Sequence, residues 1–148
     1  MSHQARVIII GAGIVGASAA WHLTKLGWRD ILVVDKGPIP ENDGSTSHAP
    51  GGVVGLSHSK LLTQMAQYSS TLFGSLQPYA ADRHTYNPVG GLEVAISQER
   101  WEDLVRLQGE ASSFGAEAHL LTPAETGQKL PFLDTGQIVG SLFVPKSA

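Results

Sequence analysis

Three glycines spaced as Gly11-x-Gly13-x-x-Gly16, followed by an acid at Asp35, are the first residues in this sequence whose types and spacing could do chemistry. In such a spacing the first glycine permits a tight turn out of a strand. The second lets backbone N–H groups approach a pyrophosphate, and the third lets a helix pack closely on the strand. A helix N-terminus at this point adds roughly half a positive charge facing the phosphates. Asp35 follows the last glycine by about 20 residues, where a carboxylate at the end of a second strand can accept from ribose hydroxyls and repel a 2′-phosphate. The chemistry indicated is dinucleotide binding, with NADP disfavoured. The plainer alternative is a glycine turn that packs a structural βαβ unit.

The elements that must position these residues are legible on either side of the glycines. Val7-Ile8-Ile9-Ile10 is β-branched throughout, a run that suits a strand covered on both faces. From Ile14 the apolar spacing becomes helical through Ala17, Ala20, Trp21, Leu23 and Leu26, and Gly27 stands where a helix-ending glycine belongs. Ile31-Leu32-Val33-Val34 is a second strand that ends on Asp35. Strand, turn, helix and strand predict a parallel, right-handed βαβ unit.

Residues 37–55 are a long loop of turn formers, and a connection of that kind in a compact domain is often functional. Its centre reads Gly44-Ser45-Thr46-Ser47-His48-Ala49-Pro50-Gly51-Gly52. The dinucleotide could be NAD or FAD on the βαβ unit alone. An NAD site makes no use of a run of small hydroxyls at this point. FAD, whose ribityl chain and ring extend past its adenosine half, can use Ser45, Thr46 and Ser47 as donors to phosphate or ribityl oxygens.

Further along, Leu61, Leu62, Met65, Tyr68, Leu72, Phe73 and Leu76 share one broad stripe of a predicted helix. Leu92 to Ile96 alternates as a strand with one wet face, and Ser97 caps a helix over 98–113. Thr122-Pro123-Ala124-Glu125 carries a helix-start signature, and Pro131 ends that helix. Ile138 to Val144 is a last predicted strand. Trp21, Trp28 and Trp101 lie at helical or turn-like spacings that suit packing residues.

Three groups of residues together resemble a known family: Ile9-Ile10-Gly11-Ala12-Gly13-Ile14-Val15-Gly16; Val33-Val34-Asp35-Lys36-Gly37; and Gly44 to Gly51. Val89 to Ala95, Leu121 to Glu125 and Gly140 to Pro145 continue the resemblance along nearly the whole chain. The family is that of the D-amino-acid-oxidase-like flavoproteins, in the branch of dimethylglycine oxidase, dimethylglycine dehydrogenase and sarcosine dehydrogenase. The resemblance implies an α/β fold. A Rossmann-like FAD-binding portion would span residues 1–80, with a flavin-attachment loop at 41–55, and a mixed α+β substrate portion would begin over 81–148.

It also implies FAD as cofactor, joined covalently to His48, and oxidation of an N-methyl amine such as dimethylglycine or sarcosine by hydride transfer to flavin N5. Backbone N–H groups of Ile14 and Val15 would meet the pyrophosphate, and Asp35 the adenosine ribose with Lys36 beside it. Ser45, Thr46 and Ser47 would line the flavin path, with Gly52 close to it. Without the resemblance, His48 reads as a solvated loop histidine and Lys36 as an exposed strand-end lysine. The family's substrate-contacting residues and any tetrahydrofolate-binding region are expected beyond residue 148, so the chain is expected to be the N-terminal part of a longer enzyme. The alternatives are another flavin amine or amino-acid oxidase of the superfamily and a non-catalytic nucleotide-binding remnant.

Composition narrows the remaining classes. With 148 residues, 42% hydrophobic and 16% charged, the chain can build a core and is unlike a disordered tail. A net charge of −3 argues against binding nucleic acid by counterion release. The absence of cysteine excludes disulfides, thiolate catalysis and cysteine-ligated zinc. His3, His22, His58, His84 and His119 have no metal-like spacing with carboxylates, so no metal is expected. The early apolar run is far shorter than the ~20 residues that span a bilayer. A soluble, cytoplasmic protein is expected, with an organelle precursor that has lost its leader as the alternative. The best acid–base cluster, Asp82-Arg83-His84, reads more simply as a solvated loop.

Overall fold

The structure, a computed structural model, describes residues 4–39, 43–76 and 86–148. The chain divides into two compact units, residues 1–51 and 52–148. The Asp82-Arg83-His84 cluster lies outside the described residues.

In the first unit, β1 (Val7–Ile10), α1 (Ile14–Lys25) and β2 (Ile31–Val34) form the expected βαβ arrangement. The strands are parallel, with Val7 opposite Ile31 and Ile10 opposite Val34. α1 closes with a Schellman turn: Gly27 N–H donates to the Thr24 carbonyl and Trp28 N–H to the Leu23 carbonyl, each at 3.0 Å. The strands are not covered on both faces, as the apolar runs suggest. α1 packs on one face only, and Ile8, Ile10, Leu32 and Val34 form the other, with Ile10 88% exposed. Trp28 is itself partly exposed and carries the Arg6 guanidinium 5.5 Å from its ring centre.

The second unit holds α2 (Lys60–Leu76), β3 (Gly91–Ala95), α3 (Gln98–Phe114), β4 (His119–Leu121), α4 (Pro123–Lys129) and β5 (Gly140–Val144). β5 is central in an antiparallel sheet of order β3-β5-β4. α3 lays Leu104, Leu107 and Ala111 against Leu142, Val144 and Ala95, with Trp101 at the margin. Ser97 caps α3 by accepting from Arg100 N–H, and Thr122 with Glu125 forms the reciprocal capping box of α4. On the opposite face α4 is tied to β5 by a buried Thr126–Ser141 hydroxyl pair at 2.7 Å.

α2 buries only part of its apolar stripe, since Leu72, Phe73 and Leu76 are half-buried. It buries Thr63 and Ser70, while Leu61, Leu62, Met65 and Tyr68 are between 56% and 65% exposed. The buried side is polar because it serves backbone: Gln67 Nε2 donates to the Gly55 carbonyl at 2.8 Å and Ser70 Oγ to the Lys146 carbonyl at 3.2 Å. Residues 53–56 also run beside the last residues. Ala148 and Val53 exchange two backbone hydrogen bonds, and Gly55 N–H donates to the buried Ser147 Oγ at 3.0 Å. Leu142 is fully buried at the centre of this unit. Leu142→Ala is expected to destabilise it by about 2–5 kcal/mol, read as a lower urea midpoint at unchanged slope.

Candidate functional site

The C-terminal ends of β1 and β2 carry the site. Leaving β1, the chain turns at Gly11 with φ +103°, a conformation that side chains other than glycine rarely adopt. It then enters α1 so closely that a β-carbon on Gly16 would stand 1.9 Å from the Gly11 carbonyl oxygen. A β-carbon on Gly13 would fall 2.9 Å from Thr46 Oγ1, so this glycine is the clearance between the turn and the loop above it.

Three hydrogen bonds hold the turn. Gly11 N–H donates to the Val34 carbonyl at 2.7 Å, Ala12 N–H to Asp35 Oδ2 at 2.7 Å, and Ile14 N–H to Thr46 Oγ1 at 2.9 Å. Gly13, the N-cap of α1, has no side chain to cap the helix, and the Thr46 hydroxyl does so from the loop. The first intrahelical bond runs from Ala17 N–H to the Gly13 carbonyl, which leaves the N–H groups of Val15 and Gly16 in the open first turn. No acidic residue stands in that first turn, and the carboxylate bonded just before it is Asp35, on Ala12 N–H.

Asp35 is held at both oxygens, since Oδ1 accepts from Gly37 N–H at 3.1 Å. Its carboxyl is held below the ordinary carboxylate range, first by the Ala12 N–H bond and then by Gly37; desolvation opposes this, and the Lys36 N–H and ammonium assist it.

Gly11, Gly13, Asp35, Lys36, Ser45 and Thr46 are brought together around one groove of about 510 Å³. Ile10, Val34 and Gly44 complete its lining, and none of these was singled out in the sequence. The signal was there only as position: Ile10 and Val34 end the two strands, and Gly44 opens the hydroxyl run. Ile14 N–H is the donor in the bond to Thr46.

Ser47 and His48 form an exposed turn of their own. Ser47 Oγ donates to the Gly44 carbonyl at 2.8 Å, and His48 Nδ1 lies 3.0 Å from that same carbonyl oxygen. The same ring nitrogen lies 3.1 Å from Ser47 Oγ. Gly52 belongs to the second unit. Among the described residues no group of three or more His, Cys, Asp or Glu could hold a metal ion, and no helix is long and apolar enough to cross a membrane. The His58–Glu110 and Glu93–Arg100–Asp103 pairs lie at the surface of the second unit, where such pairs contribute about 0–1 kcal/mol each.

Fold and groove define an α/β protein built on a parallel βαβ unit followed by an antiparallel sheet. Residues 6–148 match the FAD dependent oxidoreductase (DAO) family, and the chain belongs to it.

The chain is 32% identical over 145 residues to the mitochondrial pyruvate dehydrogenase phosphatase regulatory subunit of Mus musculus, covering 98% of this chain and 16% of that one. It is 28% identical over 142 residues to the mitochondrial sarcosine dehydrogenase of Homo sapiens, covering 95% of this chain and 15% of that one. Its fold is that of L-proline dehydrogenase from P. horikoshii, with a TM-score of 0.87 at 22% identity over 99% of this chain and 38% of that one. The chain thus spans 15–16% of the length of these two curated relatives.

A carboxyl held low by backbone donors contributes to folding in full above its unfolded-chain pKa, and that contribution is lost as the pH falls through the lower folded-state value. In urea unfolding at a series of acidic pH values, Asp35→Asn is expected to flatten this part of the acid limb. The slope at neutral pH should stay the same.

Proposed function

We propose that the groove takes the adenosine-diphosphate half of FAD and that the enzyme oxidises N-methyl amines of the dimethylglycine or sarcosine type. The observation that carries this is the convergence of the glycine turn, the α1 N-terminus, the Asp35 carboxylate and the loop hydroxyls on one groove. The donor set fits the cofactor. N–H groups at Val15 and Gly16, without intrahelical partners, suit a pyrophosphate. The Asp35 oxygens retain lone pairs for ribose hydroxyls, and Ser45 and Lys36 stand at the rim. When bound, FAD supplies the redox chemistry, accepting hydride from the N-methyl carbon at N5. The described residues bind and orient. The likeness to sarcosine dehydrogenase supports an N-methyl amine as substrate.

His48 is the attachment residue in this reading, an exposed imidazole whose Nδ1 side is turned to the Gly44 carbonyl and the Ser47 hydroxyl. In net terms an imidazole N–H and a C–H of the flavin 8α-methyl group are replaced by one N–C bond. The two hydrogens leave with dioxygen as hydrogen peroxide. Acid precipitation of the FAD-loaded protein is expected to leave flavin absorbance in the pellet, and His48→Ala to release it to the supernatant. Wild-type colour that washes out overturns the covalent link, and colour retained by His48→Ala moves it to another residue.

A second reading rests on the likeness to a regulatory subunit: a protein that binds the nucleotide without turning over amine. Bleaching of the flavin spectrum by sarcosine or dimethylglycine under anaerobic conditions favours the enzyme, and binding without bleaching favours the regulator.

A further inference from the structure

We propose that Asp35 is a positioning residue for the glycine turn: its carboxylate clips the end of β1 to the end of β2, separately from any contact it makes with a ribose. This rests on the reading that the groove takes a pyrophosphate. Glycine-rich turns carry a large conformational entropy, and nothing lies within 4 Å of where a Gly11 β-carbon would stand, so packing does not hold the turn from that side. Hydrogen bonds do. Of the three that reach the turn, two come from the β2 end, and one of those is charge-assisted, from Ala12 N–H to Asp35 Oδ2 at 2.7 Å. The other oxygen is anchored on Gly37 N–H at 3.1 Å, so the carboxylate cannot swing away without breaking a second bond.

The clip has an electrostatic cost that makes it testable. A carboxylate bonded to Ala12 N–H, two residues before the first residue of α1, repels an anion held at that helix start, so simple charge removal should strengthen binding of any anion there. Loss of the clip should weaken it. The two effects have opposite signs for a ligand with no ribose.

The test uses the full chain, with amide exchange at Ala12 followed by mass spectrometry or NMR and with inorganic pyrophosphate and FAD as titrants. In Asp35→Ala, Ala12 exchange is expected to rise about 10-fold or more in the absence of any titrant, and pyrophosphate affinity to fall. Asp35→Asn, which keeps a weaker neutral acceptor, should lie between wild type and Ala in exchange. It carries the test alone if Asp35→Ala fails to fold. Unchanged exchange in Asp35→Asn and Asp35→Ala, or tighter pyrophosphate binding by Asp35→Ala, overturns the clip. A wild-type chain that binds neither titrant while Ala12 exchange still follows the order wild type, Asn, Ala upholds the clip and overturns the dinucleotide reading instead.

Discussion

A β-carbon on Gly16 would overlap the Gly11 carbonyl at 1.9 Å, and that lack of room sets the geometry of everything around it. Because α1 starts against the end of β1, the glycine turn that leads into it lines one groove with the last residues of both strands. Asp35 and the Ser45–Thr46 segment come within reach of the same point only through that close approach. A helix displaced by one side chain would separate the dipole from the carboxylate and leave two weak half-sites.

The second unit is built on a different economy. Its core is small and aliphatic, centred on Leu104, Leu107 and Leu142, and polar side chains tie α2 to the connecting segments. Thr63, Gln67 and Ser70 of α2 spend their side chains on carbonyls of residues 55–57 and 146, and Ser147 satisfies the Gly55 amide. Buried backbone groups in these connecting segments have no sheet partner, and leaving one unmet costs roughly 1–3 kcal/mol. That demand decides which side of α2 faces inward, ahead of the aliphatic stripe.

The βαβ unit, both caps of the α3–α4 region and the α2 span were legible in the sequence, because each rests on local chemistry: periodicity, a capping hydroxyl, a proline at the first turn. The glycine turn and Asp35 were legible as a pair because their separation follows from one helix and one strand. Three features were not. β4, only His119–Leu121, is too short to show a period and exists by pairing with β5. The inward side of α2 depends on carbonyls far away in the chain. The engagement of Ile14 N–H by Thr46 joins residues 32 apart across an irregular loop, where spacing carries no information.

The central claim is that the groove at the ends of β1 and β2 holds FAD, and titration of the full chain with FAD and with NAD, followed by flavin fluorescence and calorimetry, tests it most directly. The account predicts saturable FAD binding at one per chain, lost on Gly16→Val. It also predicts weaker binding of NAD, which has no ribityl chain to meet the loop hydroxyls. No FAD binding by the folded chain, or binding that Gly16→Val leaves intact, would contradict it.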